Sequence, residues 1–490
     1  MQFAAVSAWV TRPITYVVLG VFVLAAFGCG RNPDPKQGIR PKTGRVSGPV
    51  RVTVVDDAPF AKVLQRQWAA RTDNELELKQ MTGDELEQRR RLDADIVIYP
   101  ASSLGTLVHR GLIAPPSDSI WTEANYDQFD VFDLQRNAQV RWGKQLYAFS
   151  FGSPAFVLMY RADLFAQQGL DPPGTWEEYQ SLVTKLRRAE LGESEPSGSD
   201  PWTPVCEPLA AGWAAKTLLA RAAPYASHPS QFSVLFDYIT MEPLIAGPPF
   251  VRALKELVDA NQESQLDVRK VTPEMARRRL LSGETAMALS WPSGAPIDSE
   301  PVDMPSGIEI AFAELPGSRS AYNFGEQEWS SHDEKGPVRV PLIGIAGRLG
   351  SVTRQARQPQ RAAKILALLT GPEWSDRLSP SSPHTTLFRE SHVDSPTLWT
   401  DRVLTRESSE NYAAVARATQ NRPIHVASVR IPGWRRYLQA LDAAVYAALA
   451  GESSAQAALR DAAEAWAALT DELGLDSQRE AYTRSLGLEP

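Results

Sequence analysis

The chain has 490 residues, of which 51 are Lys or Arg and 58 are Asp or Glu, so its formal net charge is −7. This length is enough to bury a large core in two or three domains, and 43% hydrophobic residues is ordinary for a globular protein. The acidic balance excludes a protein that coats nucleic acid, because such a protein needs a basic surface to displace counterions. Two cysteines, Cys29 and Cys206, are too few for a disulfide framework.

The N-terminus carries an apolar run over residues 17–28, VVLGVFVLAAFG. The run is shorter than the roughly 20 apolar residues that span a bilayer, and it has the length of the hydrophobic region of a signal peptide. It ends in small residues directly before Cys29, which resembles the lipobox of bacterial lipoproteins. We therefore predict a signal peptide over 1–28, a lipid on Cys29 and a flexible tether over 29–48. A plain secretory signal and an uncleaved anchor are the alternatives.

The first part of the folded region alternates strands and helices. A β-branched run at 51–55 predicts a strand, and the apolar spacing from Phe60 to Trp68 predicts a helix. A strand at 76–78, a polar helix at 83–91 and a strand at 95–99 follow. This order predicts a parallel α/β sheet covered on both faces.

The same alternation returns after residue 150, with more helix. Strands are predicted at 156–160, 285–289, 308–312 and 342–346, and helices at 176–188, 209–222, 249–260, 272–281, 358–369, 434–449 and 453–473. Polar segments at 191–200 and 322–337 predict linkers. We predict two α/β lobes, the first from 49–153 plus about 318–388 and the second from 154–317 plus about 389–490.

Sequence motifs for catalysis are missing. The chain has no GxxxxGK[ST], HExxH or GxSxG motif, and its six histidines are scattered. The spacing of Gly344, Gly347 and Gly350 indicates tight backbone packing instead of a dinucleotide site. Cys206 has no signature around it and is predicted to be a small core residue. These observations favour a binding protein without metal or cofactor over an enzyme.

Several segments, in a shared order, resemble the extracellular solute-binding proteins of ABC importers, in the family that includes maltose and multiple-sugar-binding proteins. The segments lie at 93–115, 142–182, 281–292, 340–352 and 434–466. The resemblance implies a two-lobed, periplasmic-binding-protein-like (type II) fold with hinge crossovers and a central ligand cleft. It also implies ABC permease subunits as partners, and we expect a monomer.

Candidate ligand contacts follow from sheet geometry, because open α/β sheets bind ligands beyond the carboxyl ends of their strands. That rule selects the residues after the predicted strands and at the first crossover: Asp56, Asp57, Tyr99, Ser102, Ser103, Gly152, Ser153, Trp291 and Ser293. The resemblance to the maltose-type proteins points to the same loops and implies that Tyr99 stacks on the ligand.

The resemblance adds three residues: Glu207, beside Pro208, and the aromatic residues Trp213 and Trp434. Each candidate has a structural alternative, since an aspartate or Ser102 can cap a helix, a tryptophan can be core and Glu207 can be an exposed acid at a helix start. After Pro292 the maltose-type pattern has an aromatic residue, but this chain has Ser293. Maltose is therefore not predicted to be the ligand.

The leading hypothesis is an exported receptor, lipid-anchored to the membrane on its periplasmic or extracellular face. It captures a small polar solute, a sugar or oligosaccharide, between its lobes and delivers it to an ABC importer. A two-lobed sensor for a membrane signalling partner is the alternative, and a carbohydrate hydrolase that uses acids such as Glu207 is the third hypothesis.

Overall fold

The computed structural model describes residues 48–187, 201–262, 264–295, 302–331 and 336–490. The predicted signal peptide, most of the predicted tether, Cys29 and the 191–200 linker lie outside these residues. Residues Gly48–Pro490 form one compact unit. Within the described ranges, no helix is both long enough and apolar enough to cross a membrane.

Sixteen strands and fourteen α-helices fall within the described residues. The strands are β1 (Val50–Val55), β2 (Leu76–Met81), β3 (Ile96–Pro100), β4 (Ile113–Ala114), β5 (Arg141–Trp142), β6 (Gln145–Leu146), β7 (Phe149–Ser150), β8 (Val157–Arg161), β9 (Thr203–Cys206), β10 (Thr285–Ser290), β11 (Ile310–Glu314), β12 (Ser320–Asn323), β13 (Glu328–Ser331), β14 (Leu342–Ile343), β15 (Arg348–Thr353) and β16 (Val426–Ala427). The helices are α1 (Ala58–Arg71), α2 (Gly83–Gln88), α3 (Leu104–His109), α4 (Ala162–Gln168), α5 (Trp176–Arg187), α6 (Ala214–Ala226), α7 (Pro248–Asn261), α8 (Pro273–Leu281), α9 (Pro359–Thr370), α10 (Pro372–Leu378), α11 (Arg406–Gln420), α12 (Trp434–Leu449), α13 (Ala455–Leu473) and α14 (Leu475–Ser485).

The first sheet has the strand order β2-β1-β3-β15-β4, and β7 also pairs with β15. Strand β1 runs parallel to β2 and β3, so the parallel sheet predicted from residues 51–99 is confirmed. All six residues of β1 are buried, as expected of a central strand covered on both faces. Strand β15 enters antiparallel to β3 with Gly350 opposite Ile98, which returns the chain to the first sheet late in the sequence.

The second sheet has the order β11-β8-β10-β9. Strand β8 is antiparallel to β10 and β11, whereas β10 runs parallel to β9. Helices α12 and α13 form the predicted terminal pair, which packs on α6 and α7, and Gly451 turns the chain between them with φ +69°. The sequence did not predict α14, because Gly474 ends the apolar pattern of α13.

One predicted linker is wrong. Residues 322–337 contain part of a hairpin in which β12 pairs antiparallel with β13, Tyr322 opposite Trp329. The hairpin packs on α6 and α7, on the side of the second sheet, although the sequence assigned residues from about 318 to the first lobe. Its second strand, EWSS, is largely exposed and polar, so it lacks the apolar alternation that reveals a strand.

Candidate functional site

The first crossover between the sheets is held by backbone hydrogen bonds. Gly152 has φ +102°, and a Cβ there would lie 2.3 Å from the carbonyl oxygen of Thr386, so only glycine fits. Its carbonyl accepts a bond of 3.1 Å from the backbone N–H of Arg348. Ser153 is fully buried, and its carbonyl accepts bonds from the side-chain amides of Gln135 (2.6 Å) and Gln420 (3.1 Å). Both predicted residues therefore position the crossover.

Asp56 and Asp57 lie at the carboxyl end of β1, as predicted, but protein groups occupy both carboxylates. Asp57 caps α1 by accepting from the N–H of Phe60 at 3.1 Å, and its other oxygen accepts from Arg348 Nε at 2.7 Å. The hydroxyl of Ser382 donates to the same oxygen. Asp56 accepts from the N–H of Gly83 at 3.0 Å. Asp57 is therefore a helix cap, which was the structural alternative to a ligand contact.

Tyr99 lies inside the first sheet. Its hydroxyl is 2.7 Å from the hydroxyl of Ser351, the ring is fully buried, and burial raises its pKa above the ordinary value. Tyr99 therefore packs within the sheet, and its hydroxyl is occupied by a protein partner. Ser102 and Ser103 lie at the start of α3, and their hydroxyls form no hydrogen bond with the residues that the structure describes.

Glu207 belongs to a buried network and not to an open site. Its carboxylate pairs with the guanidinium of Arg221, and both side chains are 0% exposed. Tyr179 donates to the same carboxylate at 2.8 Å, and the Arg221 guanidinium also lies 4.3 Å from the ring centroid of Trp176. The predicted ligand role for Glu207 has no support here, because its oxygens are occupied by protein donors.

Ser293 is likewise structural. It is buried, its N–H donates to the carboxylate of Asp401 at 3.1 Å, and its hydroxyl accepts from the N–H of Ala295 at 3.2 Å. Asp401 pairs with Arg277 at 3.1 Å. This network fixes the turn that follows β10 and so positions Trp291, which lies two residues earlier.

Trp213 and Trp291 come together with Phe156 in what we call the aromatic wall. The three ring centroids are separated by 5.8 Å (Trp213 to Trp291), 6.0 Å (Phe156 to Trp291) and 6.1 Å (Phe156 to Trp213). Trp291 follows β10, and its Nε1–H donates to the carbonyl of Pro383 at 3.2 Å. Trp213 immediately precedes α6 and is half-buried.

Lys216, in the first turn of α6, lies against this wall. Its Nζ is 4.3 Å from the ring centroid of Trp213 and donates to the carbonyl of Ile345 at 2.8 Å. The residue is 9% exposed. The pKa of Lys216 is lowered to about 8, mainly by burial; Asp442 opposes the shift and Arg435 contributes to it. Ile345 lies between β14 and β15, in the segment that leads the chain back to the first sheet. The hydrogen bond from Lys216 therefore connects α6 to this crossover segment.

His384 follows Pro383, whose carbonyl accepts from Trp291, and it lies near enough to Lys216 for that charge to lower its pKa. Its ring nitrogens form no hydrogen bond with the described residues. Burial lowers the pKa of His384 to about 4, with a contribution from the positive charges of Arg348 and Lys216 and an opposing one from Asp57. At neutral pH the imidazole is therefore uncharged and offers one donor and one acceptor. We call Phe156, Trp213, Trp291, Lys216 and His384 the cleft site.

Trp434 is the first residue of α12, and the next residue, Arg435, lies near enough to Lys216 to lower its pKa. It is half-buried, and the guanidinium carbon of Arg435 lies 5.2 Å from its ring centroid. Arg435 also pairs with Asp84 (2.6 Å) and Glu87 (2.9 Å) of α2. Since α2 follows a strand of the first sheet and α12 packs with the helices of the second, these ion pairs bridge the two halves.

The cleft site lies at the N-terminal end of α6, and a separate cavity of about 510 Å³ lies beyond its C-terminal end. Its walls come from residues 133–141, 227–235, 423–431 and 482–487, and none belongs to the cleft site. Helix α6 has 13 residues, so at a rise of about 1.5 Å per residue its two ends are roughly 20 Å apart. The cleft site lies at the start of that helix, where Lys216 has one hydrogen-bond acceptor and the ring nitrogens of His384 have none among the described residues.

Two further features concern the thiol of Cys206 and the grouping of possible metal ligands. Cys206 is buried in β9, and burial raises its pKa to about 12, so the thiol is protonated and unreactive at neutral pH. Within the described ranges, no three His, Cys, Asp or Glu side chains are grouped so that they could hold a metal ion.

Sequence reasoning missed four residues: Phe156, Lys216, Arg348 and His384. For Lys216 a signal was present, since α6 reads AAKTLLARAAPYA and its only charged residues are Lys216 and Arg221. A charge within an otherwise apolar helix marks a buried polar contact. His384 has no comparable signal, because it lies in an irregular segment that tertiary folding brings to the site.

Two α/β sheets, joined by repeated crossovers with an aromatic and polar site beside the crossovers, define the class of two-lobed solute-binding proteins. The model of one family, described as bacterial extracellular solute-binding protein, matches residues 65–379. The chain belongs to that family.

Solved structures show the same fold. The chain is similar to an ABC transporter solute-binding protein from Agrobacterium radiobacter K84, solved with ribitol, with a TM-score of 0.61 and 19% identity over 86% of this chain and 99% of that one. A solute-binding protein from Agrobacterium vitis S4 with bound D-mannitol gives a TM-score of 0.60 and 16% identity over 87% and 99%. Maltose-bound MalE3 of T. maritima gives 0.59 and 17% over 86% and 100%.

Proposed function

We propose that this chain captures a polyhydroxylated solute, a sugar or polyol, between its lobes and delivers it unchanged to the permease of an ABC importer. The observation that carries the proposal is the cleft site, where an aromatic wall adjoins two polar side chains with unused hydrogen-bonding capacity. Aromatic faces suit the C–H surface of such solutes, and Lys216 and His384 suit their hydroxyls. The structurally similar proteins hold ribitol, D-mannitol and maltose.

The proposed ligand contacts combine predicted and newly found residues. Trp213, Trp291 and Trp434 come from the sequence, and Phe156, Lys216 and His384 come from the structure. Ser102 and Ser103 stay predictions, supported by hydroxyls that have no described partner.

Closure of the lobes supplies the binding mechanism. A ligand that contacts both halves stabilises the closed arrangement over the open one, and no covalent step is needed. Three contacts already link the halves around the site: Trp291 to Pro383, Lys216 to Ile345, and Arg435 to the carboxylates of α2.

The proposal includes export and a lipid on Cys29, which would hold the binding unit at the membrane as a monomer. The apolar run that ends before Cys29 supports this step. Mass spectrometry of the mature N-terminal peptide tests it, and a Cys29→Ser variant should leave the membrane fraction. Recovery of an unmodified N-terminus at Met1 would contradict both cleavage and lipidation.

Ligand capture is tested by tryptophan fluorescence and isothermal titration calorimetry against a panel of polyols, sugars, sugar acids and amino acids. We expect saturable binding of at least one polyhydroxylated compound and its loss in Trp213→Ala. Trp329→Ala is the matched control, because Trp329 is exposed on β13 and outside the cleft site. Equal loss in both variants, or binding of amino acids alone, would overturn the proposal.

A further inference from the structure

Lys216 is a buried cation that forms no ion pair with the residues that the structure describes. Its ammonium has three N–H donors, and one protein acceptor, the carbonyl of Ile345, is within hydrogen-bond distance. Among the residues that the structure describes, no carboxylate oxygen lies within 4.0 Å of Nζ. Buried charges in folded proteins are normally paired, because desolvating an isolated ion is costly. Beyond that carbonyl, the ring of Trp213, whose centroid is 4.3 Å from Nζ, is the contact that the structure gives the ammonium, so hydrogen-bonding capacity is left for a ligand acceptor.

The nearby carboxylates are committed elsewhere. Asp442 accepts from the backbone N–H groups of Gly212 (2.6 Å) and Ala215 (2.7 Å) at the start of α6. Asp57 accepts from Arg348 Nε. Arg435, the other charged group near Lys216, pairs with the carboxylates of α2. Among the described residues the ammonium thus has a carbonyl partner but no ion pair, since the nearest named carboxylate, Asp442, is bound by neutral backbone groups and lies beyond 4.0 Å.

The other polar group of the cleft site, His384, carries no negative charge that would repel an anionic ligand. His384 is uncharged at neutral pH and presents a ring nitrogen without a described partner. The site therefore combines an ammonium without an ion pair among the described residues, a neutral imidazole and the half-buried ring of Trp213, whose neighbours Phe156 and Trp291 are each 2% exposed. A neutral polyol would fill the hydrogen-bonding capacity but would leave the charge unpaired.

We infer, on the basis of the proposed function, that the ligand carries an anionic group: it is a sugar acid whose carboxylate binds the ammonium of Lys216. The carbon skeleton packs on the aromatic wall, and His384 binds a hydroxyl. The carboxylate and the ammonium form charge-assisted hydrogen bonds in a desolvated setting, where such bonds are strongest.

The test compares five compounds by calorimetry at pH 7 with the same preparation: galacturonate, gluconate, glucose 6-phosphate, galactose and mannitol. We expect a sugar acid to bind about tenfold or more tightly than the neutral compounds. Galactose or mannitol binding as tightly as the acids would overturn the inference and leave the proposed function intact. Glucose 6-phosphate binding alone would overturn the assignment of a carboxylate. If no compound of any class binds, the proposed function fails together with the inference.

Substitution of Lys216 tests whether its ammonium is the group that binds the carboxylate. Lys216→Met keeps the length of the side chain and removes its charge, and we expect it to weaken acid binding about tenfold to a hundredfold. Lys255→Met is the control, because Lys255 is exposed on α7. A second measurement uses the unaltered protein: acid affinity should fall as pH rises above about 8, where Lys216 loses its proton, with Asp442 and Arg435 as the charged groups around it. Unchanged acid affinity in Lys216→Met, or a flat profile from pH 7 to 10, would contradict the inference.

Discussion

Glu207 and Arg221 form an ion pair in which both side chains are fully buried. The pair joins the end of β9 to the middle of α6, and Tyr179 of α5 donates to the same carboxylate. Buried ion pairs contribute little over an apolar pair of similar shape, but removing one partner leaves an uncompensated charge. The network therefore fixes where α6 begins relative to the second sheet, and with it the positions of Trp213 and Lys216.

We predict that Glu207→Gln destabilises the protein by about 3–5 kcal/mol, because Arg221 is left buried without an anion. Urea denaturation followed by circular dichroism measures the effect. Glu410→Gln is the control, since Glu410 pairs with Arg406 on an exposed face of α11 and should leave the free energy of unfolding nearly unchanged. A Glu207→Gln protein of unaltered stability with lost ligand binding would restore Glu207 as a ligand contact.

We predict that the folded protein loses stability in acid, because three of its histidines are buried or half-buried. Burial lowers the pKa of His384 and His425 to about 4, and that of His392 well below its ordinary value. Between pH 6.5 and 4 the unfolded chain binds protons that the folded protein resists, so stability falls as pH falls through this window. We expect about 2 kcal/mol of loss each for His384 and His425 between pH 7 and 5, and a loss in the same direction for His392. Urea midpoints at the two pH values measure it, and His425→Gln should reduce the loss. Equal midpoints would contradict the prediction.

Lys216→Met should stabilise the ligand-free protein, by about 1–2 kcal/mol at pH 7. The buried ammonium costs free energy, which outweighs its hydrogen bond to Ile345 and its contact with Trp213. The folded pKa of Lys216 is lowered to about 8 from 10.5, so the native protein regains stability as pH rises from 8 toward 10.5. The advantage of the variant should therefore vanish near pH 10. Thermal unfolding of both proteins from pH 7 to 10 checks this, and a difference that is constant with pH would refute it.

Arg435→Ala should weaken ligand binding about two- to fivefold, because it removes the ion pairs between α12 and α2 that hold the halves together. The effect should shrink in 1 M salt, where exposed charges are screened. Arg436→Ala is the matched control on the same helix, since Arg436 pairs with Glu472 of α13 and does not reach the first sheet. Titration calorimetry at two salt concentrations compares them, and equal effects of both variants would count against a bridging role for Arg435.

Sequence periodicity predicted most of the regular elements, because their apolar residues face a core. The strands at 51–55 and 285–289 and the terminal helices were confirmed within a few residues. Strand β15 was not predicted: its sequence, RLGSVT, contains Gly350 and Ser351 where a strand normally carries large apolar side chains. Gly350 is needed because a Cβ there would lie 2.6 Å from Leu366, so close packing rather than strand preference selected the residue.

The candidate site was only partly predictable. Trp213 and Trp291 follow from their positions before a helix and after a strand, which local sequence reveals. The carboxylates of Asp57 and Glu207 look the same in sequence whether they bind a ligand or an arginine. Their partners, Arg348 and Arg221, are brought to them by tertiary folding, which no local pattern records.

Strand β15 also constrains how the protein is made. Until residue 353 has been synthesised, β3 has an unpaired edge, although β1 and β2 have long been complete. An open edge beside a buried apolar strand is a template for aggregation, and pairing between segments so distant in sequence forms slowly. A nascent or truncated chain that ends before residue 348 should therefore need a chaperone to stay soluble, and the molecule cannot be divided at its first crossover into two independently folding fragments.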